Sequence, residues 1–248
     1  MGLDLNKMKA KLAALKGNGG GGTSVFWKPQ EGEQTIRIVP TEDGDPFKDY
    51  YFHYNVGANS GFLCPKKNFG DDCPICSFVR ALYDEGTEES VKMAKSLTAR
   101  QRFFSPVLVR GEEKQGIRIW GYGKTAYETL LTLVLNPDYG DITDVDEGTD
   151  LTINYGKPAG ASFPQTKIQP RRKTSKLVDS QEHVAELLSN IPTIDGLFEK
   201  KSTEEVEALL DAFLTDDDDA EERSSESHRY SAEKETSSVD EAFDQLLA

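Results

Sequence analysis

All three cysteines of the 248-residue chain lie between positions 64 and 76, and a histidine, His53, precedes them in the pattern H-x10-C-x8-C-x2-C. The two-residue gap of Cys73-Pro74-Ile75-Cys76 lets both thiolates reach one ion, and Cys64 and His53 can supply the other two corners of a tetrahedron. Four protein ligands with no open position describe a structural zinc site, not a catalytic one. Thiolate-rich ligation favours zinc over calcium or magnesium. Two other readings compete. Cys73 and Cys76 could form a redox pair, although Asp71 and Asp72 immediately precede them and no βαβ pattern surrounds them. The three thiols could also simply be buried. His183, on a predicted helix, and His228, in an acidic stretch, are poorer ligands.

A second set of residues points to a polyanion. Residues 90–126 carry a net charge of +6, and so do residues 156–178, within a chain of net charge −14. In the first stretch the bases alternate with rings: Arg100 and Arg102 lead into Phe103 and Phe104, and Arg118 is followed by Trp120, Tyr122, Lys124 and Tyr127. Single-stranded nucleic acid needs cations along its backbone and flat rings on which unpaired bases stack. On a strand, Arg118, Trp120 and Tyr122 share one face, the layout of an oligonucleotide-binding barrel surface. Alternation sends one of Phe103 and Phe104 into a core, so about half of these rings are structural. The second stretch contains Arg171, Arg172 and Lys173 followed by Thr174 and Ser175, charge and hydroxyls suited to phosphate. Pro164 and Pro170 predict a loop or a sheet edge there.

The elements that must position these groups follow from periodicity. Thr35–Val39, Phe103–Val109, Ile117–Tyr122 and Leu151–Tyr155 read as strands. Pro74–Tyr83, Lys124–Leu135, Gln181–Ser189 and Thr203–Leu214 read as helices, the last opened by a capping box of Ser202 and Glu205. Short strands mixed with helices predict an α+β class with a small barrel. Residues 1–18 read as a basic arm in which 3–16 have the spacing of a short amphipathic helix, with Lys7, Lys9 and Lys11 between Leu3, Leu5, Met8 and Leu12, suited to folding on a partner. A glycine linker at 19–23 follows, then a core over 24–214. From Thr215 the chain is acidic and nearly free of large apolar residues, which predicts a disordered tail over 215–248. Its end restores an apolar stripe of Val239, Phe243, Leu246 and Leu247, a short recognition segment.

Several classes are excluded. No apolar run approaches a membrane span, and the lysine-rich N-terminus lacks the apolar stretch of a secretory signal. An odd cysteine count argues against a disulfide framework and for a reducing, cytosolic compartment. Gly19–Gly22 lacks the Lys-Ser/Thr of a phosphate loop. No nucleophile–base pair or acidic metal cluster suggests an enzyme.

The order of basic N-terminal helix, His–Cys–Cys–Cys cluster, Arg/aromatic strands and acidic tail resembles the single-stranded DNA-binding (helix-destabilising) proteins of T-even-type bacteriophages. The resemblance covers nearly the whole chain, and H-x10-C-x8-C-x2-C is its most specific element. It implies an oligonucleotide-binding (OB-type) barrel with a zinc-binding subdomain, and one structural zinc on His53, Cys64, Cys73 and Cys76. It further implies an N-terminal arm, with Lys7, Lys9 and Lys11, for self-association along the strand, and an acidic C-terminal segment that contacts replication and recombination proteins. DNA-facing aromatics fall on Phe69, Tyr83, Phe103, Phe104 and Trp120, with Phe163 a weaker match. The implied function is non-enzymatic: cooperative, largely sequence-independent coating of single-stranded DNA in phage replication, recombination and repair, in the cytoplasm of the infected host. One departure is that the Lys/Arg-rich run with adjoining Ser/Thr, which such proteins carry in the arm and before the aromatic pair, stands here in full only at 171–175. The rival functions are a zinc-containing scaffold without DNA affinity and a thiol redox protein. Burial of both Trp120 and Phe104 would weaken the DNA reading.

Overall fold

The computed structural model describes residues 25–56, 61–161 and 163–221, and Phe243. The basic arm with Lys7, Lys9 and Lys11, the glycine linker and most of the acidic tail lie outside the described residues. The class is α+β, with eight strands and six α-helices among the described residues. The expected core over 24–214 contains residues of two compact units. One comprises residues up to Asp49 and Arg102–Leu197; the other comprises Tyr50–Gln101 and the residues from Phe198 onward.

The first unit is built on a sheet whose pairing runs β1-β6-β5-β2-β7-β8. Its strands are β1 (Phe26–Trp27), β2 (Gly32–Ile38), β5 (Arg100–Val109, which begins in the second unit), β6 (Arg118–Tyr122), β7 (Thr149–Gly156) and β8 (Gln165–Thr174). Neighbours are antiparallel except β1 and β6, which run parallel. β5 is buried without interruption from Phe103 to Val109 because both of its faces are covered. One face carries Phe103, Val107 and Val109 into a core with Ile36, Ile38, Trp120, Tyr122 and Leu151, closed by Ala126 and Leu130 of α4 (Lys124–Val134). The other carries Leu108 into a second core with Val39, Leu177 and Leu187, the last from α5 (Gln181–Ser189).

On that second face lies a polar group that periodicity does not reveal. Arg37, fully buried on central strand β2, donates from Nε to Asp150 Oδ1 at 2.9 Å and from Nη1 to the Asp144 carbonyl at 3.0 Å. Arg110 also reaches Asp150, from Nη2 to Oδ1 at 2.8 Å. Burial lowers the Arg37 pKa and the facing Asp150 opposes that shift. A buried charge is tolerated only when paired and fully hydrogen-bonded, and this one meets both conditions.

The second unit holds β3 (Lys48–His53, entering from the first unit) paired with β4 (Phe62–Leu63), then α1 (Pro65–Phe69), α2 (Pro74–Glu85), α3 (Glu88–Leu97) and α6 (Thr203–Glu221). Its core joins Ile75, Val79, Leu82, Ala94 and Leu97 to Val206 and Leu210 of α6. The capping box forms as the sequence predicts: Glu205 N donates to Ser202 Oγ at 3.2 Å, and Ser202 N donates to Glu205 Oε2 at 2.7 Å. The helix then continues to Glu221, past the expected boundary at Leu214.

Candidate metal centre and nucleic-acid surface

His53, Cys64, Cys73 and Cys76 converge, with one ligand atom from each lying within 4.8 Å of all the others. His53 Nε2 lies 3.4 Å from Cys73 Sγ and 3.5 Å from Cys76 Sγ, and Cys64 Sγ lies 3.5 Å from Cys76 Sγ. A tetrahedral ion with bonds of about 2.0–2.3 Å has ligand–ligand edges of roughly 3.3–3.8 Å, so the donor set fits one such ion. No disulfide forms among the three cysteines.

Local chain geometry explains the convergence. Cys64 and Cys73 are the N-caps of α1 and α2, and each is followed by a proline at the first helical position, where its fixed φ and missing N–H cost nothing. Lys67 N donates to Cys64 Sγ at 3.4 Å, which favours the thiolate. Cys76 follows in the first turn of α2. His53 ends β3, and its Nδ1 pairs with the Leu97 carbonyl at 2.9 Å. A carbonyl accepts only from N–H, so Nε2 is left facing the sulfurs as a ligand, a common outer-shell arrangement. The protein-only electrostatics conflict. Burial lowers the His53 pKa, but hydrogen bonds that the protonated ring would donate to the Cys64 and Cys73 sulfurs raise it to about 9. Hydrogen bonds from its sulfur neighbours lower the Cys64 pKa, while the Cys76 pKa is driven up by Cys64 and Cys73. Sulfurs this close seek one shared positive charge. The repeated Cys-Pro step was the sequence signal for this capping geometry that spacing arguments passed over.

The loop between Phe69 and α2 is tied to the start of α6. Lys200 Nζ pairs with Asp71 at 2.6 Å and lies 4.5 Å over the Phe69 ring, and Thr203 Oγ1 donates to the Asp72 carbonyl at 3.3 Å. Phe69 and Tyr83 are the exposed large aromatics among the described residues, at 42% and 44%.

The Arg/aromatic strands are different, and here the expectations need correction. Trp120 is 1% exposed, Phe104 0%, Phe103 4% and Tyr122 4%. Trp120 packs edge-on against Trp27 at 5.9 Å, and Tyr122 OH hydrogen-bonds Ser105 Oγ at 2.7 Å. Phe103 stacks on Tyr127 at 3.8 Å, which leaves Tyr127 half-buried. Phe103, Phe104, Trp120 and Tyr122 are built into the core and present no open face to a base. Both faces of β5 are buried at this point, Phe103 in the core closed by α4 and Phe104 with its ring 6.4 Å from that of Phe26, so the alternation that was to free one of the pair frees neither. Arg118 is buried as well and pairs with Glu112. Arg100 is half-buried and donates from Nη2 to the Lys95 carbonyl at 3.1 Å; Arg102 is half-buried, with Nη1 close over Gly123. Lys124 is exposed and sits 3.6 Å from Glu128. Phe163 is half-buried.

Arg171, Arg172 and Lys173 are all exposed. They lie on β8, an end strand of the sheet path. Pro170 pairs with Leu151 and Thr174 with Thr149, so three residues of β8 oppose the single residue Asp150. Such a bulge breaks the alternation and turns all three cations outward. The bulge is pinned at its end: Ser175 Oγ accepts from Arg37 Nη2 at 2.7 Å and donates to Asp150 Oδ2 at 3.1 Å. The Ser175 hydroxyl, expected to meet phosphate, is thus committed to the buried Arg37–Asp150 group. No helix among the described residues is long and apolar enough to cross a membrane.

No curated protein matches the chain. A family model described as "gp32 DNA binding protein like" matches residues 30–215, a span that contains the whole Cys/His centre, every strand of the sheet but β1, and the β8 bulge. A match over that much of the chain settles its kinship: the protein belongs to the gp32-like family of DNA-binding proteins.

Proposed function

We propose that the protein coats single-stranded DNA, cooperatively and with little sequence preference, during phage DNA replication, recombination and repair in the host cytoplasm, without catalysing a reaction. The observation that carries this reading is family membership across residues 30–215. The Cys/His centre holds one structural zinc, which when bound cross-links β3, α1 and α2. Cations of the β8 bulge follow the phosphates. Exposure favours Phe69 and Tyr83 as stacking rings, and leaves Phe103, Phe104, Trp120 and Tyr122 as core residues of the sheet unit. The arm, through Lys7, Lys9 and Lys11, joins neighbours along the strand, and the acidic C-terminal segment recruits replication and recombination proteins.

The core positions of Trp120 and Phe104 favour one rival, a zinc-containing scaffold without DNA affinity. Fluorescence titration with oligo(dT), with and without a chelator, separates the two. The coating reading expects saturable binding that weakens when metal is removed; the scaffold reading expects none. In the same assay, replacing Arg171, Arg172 and Lys173 by Gln should flatten the log–log salt dependence by about 0.7 for each phosphate that is no longer neutralised. An unchanged slope would remove the bulge from the DNA surface.

A further inference from the structure

β3 has two faces, and the metal centre uses only one. His53 points to the sulfurs, while Phe52 and Tyr54, its neighbours on either side, point the opposite way. There they meet a ring from far along the chain. Phe243 is 6% exposed, with its ring centroid 6.5 Å from Phe52 at 68° and 6.4 Å from Tyr54 at 86°. Phe198 closes the group, edge-on to Phe52 at 5.0 Å and 6.1 Å from Tyr50. Edge-to-face pairs at these separations are the favourable arrangement of aromatic quadrupoles. The seat is itself closely packed. Phe52 and Tyr54 stack at 6.0 Å, and Gly61 lies so close to the Tyr54 ring that a Cβ there would fall 2.7 Å from Cδ1.

Phe243 is the one aromatic residue in SSVDEAFDQLLA, where Asp240, Glu241 and Asp244 surround it. A large aromatic side chain flanked by acids has little reason to be buried unless a specific site receives it. We propose that Phe52, Tyr54 and Phe198 form a docking site for the chain's own C-terminal acidic segment, with Phe243 as its anchor. Contact through rings, and not through the tail's charge, makes the docking resistant to salt. It also places the segment on the strand that supplies His53. The apolar residue through which such a segment would engage another protein is then covered in the isolated chain, so a partner must compete for it. That last consequence rests on the recruiting role proposed above; the docking does not.

The test is chymotrypsin cleavage after Phe243 in the full-length protein, followed by mass spectrometry. The expected result is slow cleavage that accelerates on the order of tenfold in Phe198→Ala, which removes the ring packed edge-on against Phe52, itself in contact with Phe243. Protection should persist in 1 M salt and in a variant with Asp240, Glu241 and Asp244 changed to Asn, Gln and Asn. Equal cleavage of wild type and Phe198→Ala, or release by salt, overturns the proposal. Protection that falls on dilution assigns the seat to a second copy and also overturns it. Should Phe198→Ala fail to fold, hydrogen exchange over residues 238–248 in wild type and Phe243→Ala decides the matter, because Phe243→Ala leaves the receiving rings intact. Loss of protection supports docking, and identical exchange rejects it. Neither readout involves DNA, so failure here is distinct from failure of the coating reading.

Discussion

The two units differ in which aromatic and charged side chains they leave exposed. In the sheet unit, Trp27, Phe103, Trp120 and Tyr122 are interior, and the edge strand offers Arg171, Arg172 and Lys173 to solvent. In the second unit, Phe69 and Tyr83 stand on the surface, while a histidine and two cysteines are buried. The difference follows from size. A six-stranded sheet covered on both faces removes enough apolar surface from water to hold itself together. The second unit has a short two-strand pairing and four helices, and small units of this kind need a staple. Its Cys/His centre is placed where one ion would join β3, α1 and α2. The lesson is that both units bury an apolar core, but only the second also buries a set of four donors close enough to hold one ion.

The largest effect expected from this contrast is at the centre itself. Cys76→Ser removes one of four ligands and should cost the protein its bound metal. It should destabilise the second unit by roughly 5 kcal/mol or more, the range reserved for loss of a metal or similar feature. Metal analysis and thermal melting together check it. Full metal content with an unchanged melt would show that the unit stands on its apolar core alone.

Next comes the matching experiment in the sheet unit. Trp120→Ala should cost about 3–5 kcal/mol, the usual range for emptying a large aromatic site in a core, and metal content should not change. Denaturant unfolding measures the first quantity. If Trp120→Ala instead left stability intact and abolished oligo(dT) binding, the ring would be a stacking platform, and the contrast between the units would fail.

A smaller effect is expected from Phe69→Ala. The ring is exposed, so stability should shift by no more than about 0.5 kcal/mol. Affinity for single-stranded DNA should fall by roughly 1–3 kcal/mol if one base stacks there. Tyr83→Ala is the parallel test. Unchanged affinity in both would move the stacking surface off the second unit.

What the sequence made legible differs along the same line. The ligand set was readable because chelation is local: H-x10-C-x8-C-x2-C names its members without knowledge of the rest of the fold, and the structure brings all four together. Helices at Pro74, Lys124, Gln181 and Thr203 start where their periodicity and caps indicated. The facing of β5 and β6 was not readable. A period of two says that Arg118, Trp120 and Tyr122 share a face, but not whether another layer covers that face. α3 went unread although Thr87 accepts from Ser90 N at its start, because a ten-residue helix with four charged residues shows little apolar stripe. The Arg37–Asp150–Arg110 group was invisible for another reason. Its members are 40 to 113 residues apart, and only strand register brings them together. Pro170 correctly pointed to an edge, but the bulge that exposes Arg171–Lys173 depends on the register against β7.

The smallest expected effect belongs to the most local feature. Ser202 and Glu205 form a reciprocal pair at the start of α6, each side chain accepting from the other residue's backbone N–H. Ser202→Ala leaves one helix-end donor without its side-chain acceptor, at a cost of about 1 kcal/mol. Because the site is exposed, water replaces part of the lost bond, which keeps the cost near this figure. α6 nonetheless matters to the metal-bearing unit: Val206, one turn inside the cap, is fully buried in the core that contains Cys64 and Cys73. A frayed first turn would also loosen the Thr203 hydrogen bond to the Asp72 carbonyl, directly beside Cys73. Ser202→Ala should therefore lower the melting temperature slightly and speed the removal of metal by a chelator, while denaturant unfolding of the sheet unit stays unchanged. Metal release at the wild-type rate would show that the centre holds its geometry without help from α6, and would place the staple wholly in β3, α1 and α2.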